Sequence, residues 1–250
     1  MKVTPYSLYC RDAAYSMREL PGRTANTIIT APPSVANRGG YSSQTFDDSF
    51  RWNPFSAARF AAFVESGGPL ANTMQALEGI HGRSDELAYA AFTAEWLLAA
   101  HHLLADSGSI YVICDVRRSR MMSYIMDAVF GIDGYRDEIT WLDDTPHSGL
   151  GRYGTQCARA LHYVKGLRAA PYSRSSIPAV HYSTQHMLEL LISASSNPGD
   201  LVCDPFASGG AVGATALKLK RRFLGIDPNA EALSAIQEKL TRMQQQEAAE

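Results

Sequence analysis

The stretch GDLVCDPFASGGAVGATALKLKRRFLGID, residues 199–227, decides the fold class of this chain. Its apolar run at 201–203 predicts a buried strand that ends at Asp204. Small residues fill 207–211, and they allow the backbone to pass close to a ligand before a helix begins. A second predicted strand ends in another acid, Asp227. This strand–turn–helix–strand order is typical of a nucleoside-binding α/β fold.

The acid at the end of the second strand indicates the kind of ligand. In nucleoside-binding folds an acid in the position of Asp227 accepts hydrogen bonds from the two ribose hydroxyls. The turn lacks the full GxGxxG pattern that cradles a pyrophosphate, so S-adenosylmethionine fits the spacing better than a dinucleotide does. An ordinary strand–turn–helix–strand with glycine at the turn has the same spacing, and spacing alone leaves both interpretations open.

Short apolar runs alternate with helical patterns along the rest of the chain. The alternation predicts a mainly parallel sheet with helices on both faces. Strands are predicted at 5–10, 26–30, 109–114, 139–141, 160–164, 201–203 and 223–226. Helices are predicted at 12–20, 86–105, 119–130, 186–195, 211–219 and from 229 onward. A polar stretch, 34–56, reads as a loop, and the loop-rich region 145–185 is the candidate substrate-facing insertion.

Composition narrows the class of protein. The 250 residues, 46% hydrophobic and 19% charged, suit one globular domain spanning 1–250. The net charge of −2 excludes a strongly basic protein that coats nucleic acid, but it is compatible with a local basic face. No stretch approaches the ~18 apolar residues of a membrane helix, and the four cysteines form no CxxC pair. We therefore expect a chain of the reducing cytosol with no membrane span and no metal.

Six short motifs follow one another along the chain. They are YCRD (9–12), TIITAPPS (27–34), SGSIYVICD (107–115), RDEITW (136–141), YSTQHM (182–187) and DPFASGG (204–210). In this order they resemble the N6-adenine/N4-cytosine DNA methyltransferases. They are similar to the permuted (β) class of that family, in which the catalytic DPPY or SPPY motif precedes the cofactor motif.

The resemblance implies a fold, a reaction and a set of site residues. The fold is a Rossmann-like α/β domain with a seven-stranded, mostly parallel sheet, one antiparallel strand and helices on both faces. The reaction is methyl transfer from S-adenosylmethionine to the exocyclic amine of a DNA base, adenine N6 or cytosine N4. The implied catalytic residues are Ala31, Pro32, Pro33 and Ser34. The implied cofactor contacts are Asp204, Phe206, Ala207, Ser208 and Gly210 for the methionine end, Asp227 for the ribose, Asp12 for the adenine, and Thr184 and Gln185 for the pocket wall.

The tetrapeptide at 31–34 departs from the family motif at its first and last positions. In the family, the first side chain and the next proline carbonyl accept hydrogen bonds from the exocyclic amine, and an aromatic fourth residue stacks on the flipped base. Ala31 has no acceptor and Ser34 has no ring. Loss of a transition-state hydrogen bond commonly costs ~10²–10³ in rate, and loss of stacking costs ~1–3 kcal/mol of binding. The family's glycine–serine order is also reversed at Ser208.

Several interpretations of this departure stay open on the sequence. In the first, the enzyme is active because neighbours replace the missing groups, with Tyr41, Phe46 and Trp52 as candidates for stacking. In the second, the chain is an impaired relative that binds DNA or S-adenosylmethionine and supports an active methyltransferase subunit. In the third, Ala31 and Ser34 are substitutions introduced to disable the protein. A methyltransferase that acts on RNA or a small molecule is a further alternative.

Basic residues interleaved with tyrosines predict a DNA-facing surface. Two open a helix after a strand, Arg117 and Arg118, and a solvated helix face explains them equally well. Five lie in the loop-rich region: Arg152, Arg159, Lys165, Arg168 and Arg174. The family places its target-recognition segment after the position of Lys165, and this segment is short here, so we expect low sequence specificity. The resemblance further implies DNA as a partner, and either a homodimer or a heteromer with an active subunit.

Overall fold

In the computed structural model of the chain, residues 5–33, 50–114, 116–142, 157–166 and 183–247 are described. Strands from these ranges form one seven-stranded sheet in the order β1-β7-β6-β2-β3-β5-β4. The strands are β1 (Tyr6–Tyr9), β2 (Ala25–Thr30), β3 (Leu104–Cys114), β4 (Tyr135–Leu142), β5 (Cys157–Val164), β6 (Leu201–Asp204) and β7 (Arg222–Ile226). The helices are α1 (Ala13–Glu19), α2 (Pro54–Ser66), α3 (Gly68–His81), α4 (Asp85–Leu103), α5 (Val116–Phe130), α6 (Thr184–Ser195), α7 (Ala211–Lys218) and α8 (Ala230–Glu247).

The sheet is parallel except at one strand. The pairs β1–β7, β7–β6, β6–β2 and β2–β3 are parallel, whereas β5 lies antiparallel between β3 and β4. This confirms the predicted fold class, and each predicted strand is present. The largest difference is at β3, which begins at Leu104 instead of residue 109, because the chain passes directly from the end of α4 into extended backbone.

Both faces of the sheet are buried. Successive side chains of a strand point to opposite faces, so Ile28 and Ile29 of β2 enter two different cores. The Ile28 core is closed by helices α1 to α5, and the Ile29 core by α6, α7 and α8. Continuous apolar runs such as those of β2 and β3 are what parallel strands covered on both faces require. The predicted arrangement of helices on both faces is therefore confirmed.

Helix α4 is buried over most of its surface, with Leu98 exposed, whereas the sequence predicts an apolar stripe broadly on one side. Ser84 caps its start, and four successive residues, 88–91, are all buried. A helix that is apolar all round is a core helix. The burial extends beyond the predicted stripe because α1, α2, α3 and α5 all pack against α4.

A helical hairpin, α2 and α3, replaces the end of the predicted loop 34–56 and extends beyond it. The Asn53 side chain caps α2 by accepting hydrogen bonds from the backbone N–H groups of Phe55 and Ser56, at 2.9 and 3.0 Å. Pro54 then occupies the first helical position, where its missing N–H costs nothing. This Asn-Pro capping signal precedes a helix that the sequence prediction did not include.

Two regions singled out in the sequence lie largely outside the described residues. These are 34–49 of the predicted loop and most of 145–185, of which 157–166 and 183–185 are described. The single domain over 1–250 with a DNA-facing insertion at 145–185 stays a prediction. No described helix has both the length and the apolar character needed to cross a membrane. Among the described residues, no group of three or more His, Cys, Asp or Glu side chains is placed to hold a metal ion.

Candidate active site

Two turns lie side by side at the carboxyl edge of the sheet. β2 and β6 are adjacent parallel strands, with Ile28 opposite Cys203, so both strands end at the same edge. The residues that follow β2, 31–33, are called the target turn here. The residues that follow β6, 205–210, are called the cofactor turn. The structure therefore places the two turns beside each other.

The hydroxyl group of Thr30 joins the strands that carry these turns. Thr30 Oγ1 donates a hydrogen bond of 2.8 Å to Asp204 Oδ1, and the same oxygen accepts from the backbone N–H of Phe206 at 3.1 Å. Thr30 and Asp204 are both buried. Burial raises the pKa of Asp204 to about 7, the two hydrogen bonds oppose this rise, and the charge of Asp227 adds to it. The carboxyl group therefore changes its charge near neutral pH.

The cofactor turn is held against β7 and presents an open backbone face. The Ala207 N–H donates to the carbonyl of Ile226 at 3.0 Å, and the Gly210 N–H donates to the Ala207 carbonyl at 2.7 Å. Gly210 has a φ of +66°, and a Cβ there would lie only 3.0 Å from a side chain of α8, so glycine is favoured at the start of α7. Ser208 and Gly209 are exposed, and a Cβ at Gly209 would meet nothing within 4 Å.

Asp227 is placed differently from the predicted ribose acid. Its Oδ2 accepts from the Ser208 N–H at 3.0 Å, and its Oδ1 accepts from the Asn229 N–H at 2.8 Å. The residue has no exposed surface. A ribose contact needs a carboxylate oxygen that faces the ligand, so the predicted contact is not available in this conformation. Asp227 instead fixes the cofactor turn at Ser208, whose φ of +29° is unusual for a residue other than glycine.

The side chain of Phe206 is directed into the core. Its ring lies 6.0 Å from that of Phe92 and 5.5 Å from that of Trp96, both on α4. Only 3% of the residue is exposed. Phe206 therefore anchors the cofactor turn to α4, and little of its ring remains for the predicted contact with the methionine end of the cofactor.

Asp12 lies near the same edge, on the far side of the cofactor turn. The backbone N–H of Asp227 donates to the carbonyl of Tyr9 at 3.1 Å, so the residues after β1 run beside those after β7. Asp12 is exposed and caps α1, with its Oδ1 accepting from the Tyr15 N–H at 2.8 Å. This position agrees with the predicted contact to an adenine ring, which stays a prediction.

Thr184 and Gln185 form the start of α6 at the carboxyl edge. The other end of α6 is fixed at the beginning of the central strand, because Thr27 Oγ1 donates to the carbonyl of Ser195 at 2.8 Å. Gln185 Nε2 donates to Thr215 Oγ1 of α7 at 3.0 Å. Gln185 thus ties α6 to the helix that begins at the cofactor turn, which is compatible with the predicted role in the pocket wall.

The residues of the target turn, 31–33, carry no side chain that can donate or accept a hydrogen bond. Ala31 is exposed, whereas Pro32 and Pro33 are buried. Ser34 lies outside the described residues, as do two of the three candidate stacking residues. The third, Trp52, packs against Phe60 with ring centroids 5.9 Å apart, and its backbone N–H donates to Asp85. These contacts hold Trp52 against α2 and the start of α4.

Two of the predicted DNA-contacting arginines, Arg118 and Arg159, have side-chain partners within the protein. The guanidinium of Arg118 lies 3.8 Å from the ring centroid of Tyr89 and 3.7 Å from the carboxylate of Glu86. Arg159 forms an ion pair with Glu138 beside the carboxyl end of β3. Arg152, Arg168, Arg174 and the side chain of Arg117 lie outside the described residues. The DNA-facing surface stays a prediction, and phosphate contacts would compete with these existing pairs.

The structure corrects the prediction for Lys165. This residue follows β5, which is antiparallel, and Val164 lies opposite Ser109 near the start of β3. Lys165 therefore lies at the amino edge of the sheet, opposite the two turns. Its Nζ donates to the carbonyls of His101 and Leu104, each at 2.8 Å. A cation at the last carbonyls of a helix is a capping group, and Lys165 stabilises the end of α4.

Thr30 is the site residue that the sequence prediction missed. A threonine within the run TIITAPPS reads as an ordinary strand residue, because β-branched residues favour strands. The available signal was its position immediately before the target turn, directly after the apolar pair Ile28 and Ile29. A buried hydroxyl needs a partner, and the acid at the end of β6 is that partner.

Comparison with known proteins identifies similar sequences. The family model N6_N4_Mtase, described as DNA methylase, matches residues 183–238, from α6 through the cofactor turn into α8. The chain is 41% identical over 181 residues to the Type II methyltransferase M2.DpnII of Streptococcus pneumoniae, covering 60% of this chain and 66% of that protein. It is 23% identical over 268 residues to the Type II methyltransferase M.HpaI of Haemophilus parainfluenzae, covering 93% and 73%. Part of each relative lies outside the match.

A solved structure has the same fold. The crystal structure of the M1.HpyAVI-SAM complex superposes with a TM-score of 0.61 at 18% identity, covering 94% of this chain and 98% of that one. At this level of identity the likeness concerns the fold. The superposition extends over nearly the whole length of both chains.

Proposed function

We propose that the chain is an N6-adenine/N4-cytosine amino-methyltransferase, because the DNA methylase family model matches residues 183–238 and M2.DpnII is 41% identical over 181 residues. In this proposal it transfers a methyl group from S-adenosylmethionine to an exocyclic amine of DNA. The acceptor is adenine N6 or cytosine N4, and we propose low sequence specificity because the segment after Lys165 is short. The Type II methyltransferases among its relatives support a DNA modification enzyme of the restriction–modification type.

One observation carries this proposal: the target turn and the cofactor turn end adjacent parallel strands and are joined through Thr30 and Asp204. Methyl transfer needs the acceptor nitrogen in line with the methyl–sulfur bond, within about 3–3.5 Å of the methyl carbon. Two binding turns on neighbouring strands of a rigid sheet are suited to hold the two reactants at such a distance.

The cofactor turn fits S-adenosylmethionine at its backbone and less well at its ribose acid. Ser208, Gly209 and the start of α7 would hold the methionine end, and Asp12, which is exposed, would contact the adenine. Asp227 is buried, so a carboxylate oxygen must become exposed before it accepts a ribose hydroxyl. The bound cofactor supplies an electrophilic methyl group on a positively charged sulfur.

The chain's own backbone orients the acceptor amine in this proposal. The Pro32 carbonyl is the acceptor of the family motif that this sequence retains, because every amino acid supplies a backbone carbonyl. An amine N–H bonded to this carbonyl has its nitrogen lone pair directed toward the cofactor side. The proton that leaves the amine after transfer has no carboxylate at position 31 to stabilise it.

A second candidate function is an impaired subunit that binds DNA or S-adenosylmethionine and supports an active partner. The observation that favours it is the exposed methyl group of Ala31 at the point where the family has an acceptor. The missing acceptor is expected to reduce the rate by ~10²–10³.

A methyl-transfer assay separates the two candidates. Tritiated S-adenosylmethionine and unmodified DNA are incubated with the wild type, with Ala31→Asp/Ser34→Tyr, and with the control Ala31→Val, which fills the position without an acceptor. The first candidate predicts incorporation by the wild type and an increase of about 100-fold or more in the double variant. The control is expected to stay at or below the wild-type rate.

Calorimetry with S-adenosylmethionine alone accompanies this assay. Cofactor binding without incorporation in the wild type favours the impaired subunit, and gain of incorporation in the double variant then shows that the rest of the site is intact. Absence of cofactor binding would refute the methyltransferase proposal.

A further inference from the structure

One carboxyl oxygen connects the end of the target strand to the beginning of the cofactor turn. Asp204 Oδ1 accepts the Thr30 hydroxyl at 2.8 Å and the Phe206 N–H at 3.1 Å. Thr30 and Asp204 are 174 residues apart in sequence, so no local turn imposes this contact. Because both residues are buried, water does not replace either partner.

We propose that Thr30 is a positioning residue for cofactor binding, because its hydroxyl fixes the carboxyl group from which the cofactor turn starts. The inference rests on the proposed function. Thr30 belongs to β2, the strand of the target turn, so a change at this residue is transmitted to the cofactor turn through Asp204.

The environment of the carboxyl group explains why a single hydroxyl matters. Burial disfavours the charged form of Asp204, and the Asp227 carboxylate nearby acts in the same direction. The Thr30 hydroxyl and the Phe206 N–H are the donors that oppose this effect. Without Thr30, the carboxyl group loses one of its two donors while it stays buried, and its orientation toward the Phe206 N–H becomes less fixed.

The cofactor turn is fixed at a second point by a similar contact. Asp227 accepts the Ser208 N–H at 3.0 Å, so a buried carboxyl group holds the turn at residue 206 and another holds it at residue 208. The two contacts are independent in origin, because one acid ends β6 and the other follows β7. Loss of the Thr30 contact therefore loosens the beginning of the turn without freeing its middle, and we expect weaker cofactor binding rather than none.

The test compares three threonine variants by calorimetry with S-adenosylmethionine. Thr30→Val keeps the shape and removes the hydroxyl, and Thr30→Ser keeps the hydroxyl and removes a methyl group. Thr27→Val is the matched control, because Thr27 is also a buried threonine of β2, but its hydroxyl bonds to Ser195 of α6 instead. Thermal midpoints are recorded for all variants.

We expect Thr30→Val to raise the dissociation constant of S-adenosylmethionine about 5- to 30-fold, the range for one buried hydrogen bond to an ionisable group. Thr30→Ser is expected to stay within about 3-fold of the wild type, and Thr27→Val to lose thermal stability without loss of affinity. If Thr30→Val does not fold, Thr30→Ala and Thr30→Ser make the same comparison.

Four results would overturn the inference. Wild-type affinity in Thr30→Val shows that the hydroxyl is not needed. An equal loss in Thr30→Ser, or an equal loss in Thr27→Val, shows that packing or general stability is responsible. A wild type that binds no S-adenosylmethionine refutes the proposed function, and this inference with it, whereas the other outcomes leave the proposed function intact.

Discussion

Lys165 is expected to stabilise the fold and to make no contact with DNA. Its side chain is 13% exposed, and its Nζ donates to two carbonyl groups at 2.8 Å, with Asp106 at 3.8 Å. In Lys165→Met the two carbonyls lose a charged donor. Hydrogen bonds to charged groups contribute roughly 1.5–3 kcal/mol each when both partners are buried. Because this helix end is only half-buried, we expect a total loss of about 2 kcal/mol, which lowers the thermal midpoint by about 4–8 °C in a protein of this size.

The assay measures thermal unfolding together with the salt dependence of DNA binding. A phosphate contact contributes about one unit to the slope of log K against log salt, and we expect no change of this slope in Lys165→Met. The control is Lys218→Met, which removes an exposed ion pair with Glu189 and is expected to cost less than about 1 kcal/mol. A slope reduced by about one unit with an unchanged thermal midpoint would refute the capping role.

Two further predictions concern the cofactor turn. Because the pKa of Asp204 is about 7 in the folded chain against an ordinary 3.8, its stabilising contribution is complete below pH 4 and is lost as pH rises through about 7. The free energy of unfolding of the wild type, relative to that of Asp204→Asn, should therefore fall by roughly 2–4 kcal/mol between pH 4 and pH 7. Thermal unfolding at a series of pH values measures this difference, and a difference that is independent of pH contradicts the prediction. Ser208 has a φ of +29°, which glycine adopts more readily than a β-branched residue does. Ser208→Val should therefore lower the thermal midpoint and Ser208→Gly should not. Equal midpoints for the two variants would show that the backbone there is not strained.

Most of the sheet could be predicted from the sequence, because parallel strands that are buried on both faces consist of consecutive apolar residues. The strand containing Ile28 and Ile29 is such a run, and its ends are marked by polar residues and prolines. The α2–α3 hairpin could not be predicted in the same way. Its apolar residues, such as Phe60 and Met74, form short and irregular stripes whose burial depends on α4, which lies later in the chain.

The position of the site could be predicted, whereas the partners of its side chains could not. Strand order and chain order together place the target and cofactor turns at one edge. Asp227 was expected to face a ribose, yet it is buried beneath Ser208 because the turn folds back on β7. Lys165 was expected to face DNA, yet antiparallel β5 carries it to the opposite edge. The spacing of apolar residues indicates which residues are buried. The hydrogen-bond partners of a side chain depend on the register between strands that are distant in sequence, and spacing does not give that register.

The stability of this fold and its chemistry depend on different residues. Ile28, Ile29 and Val202 hold β2 and β6 together with no exposed surface, so substitutions there would disrupt the sheet. Ala31 is exposed one residue beyond β2, and its side chain contributes little to packing. An acidic side chain at position 31 is therefore not needed for the fold, whereas the proposed methyl transfer is expected to be faster with it. For this reason the fold and the Thr30–Asp204 contact are compatible with either an active or an impaired enzyme. The methyl-transfer rate of Ala31→Asp/Ser34→Tyr, divided by that of the wild type, measures how much activity the present residues at 31 and 34 cost.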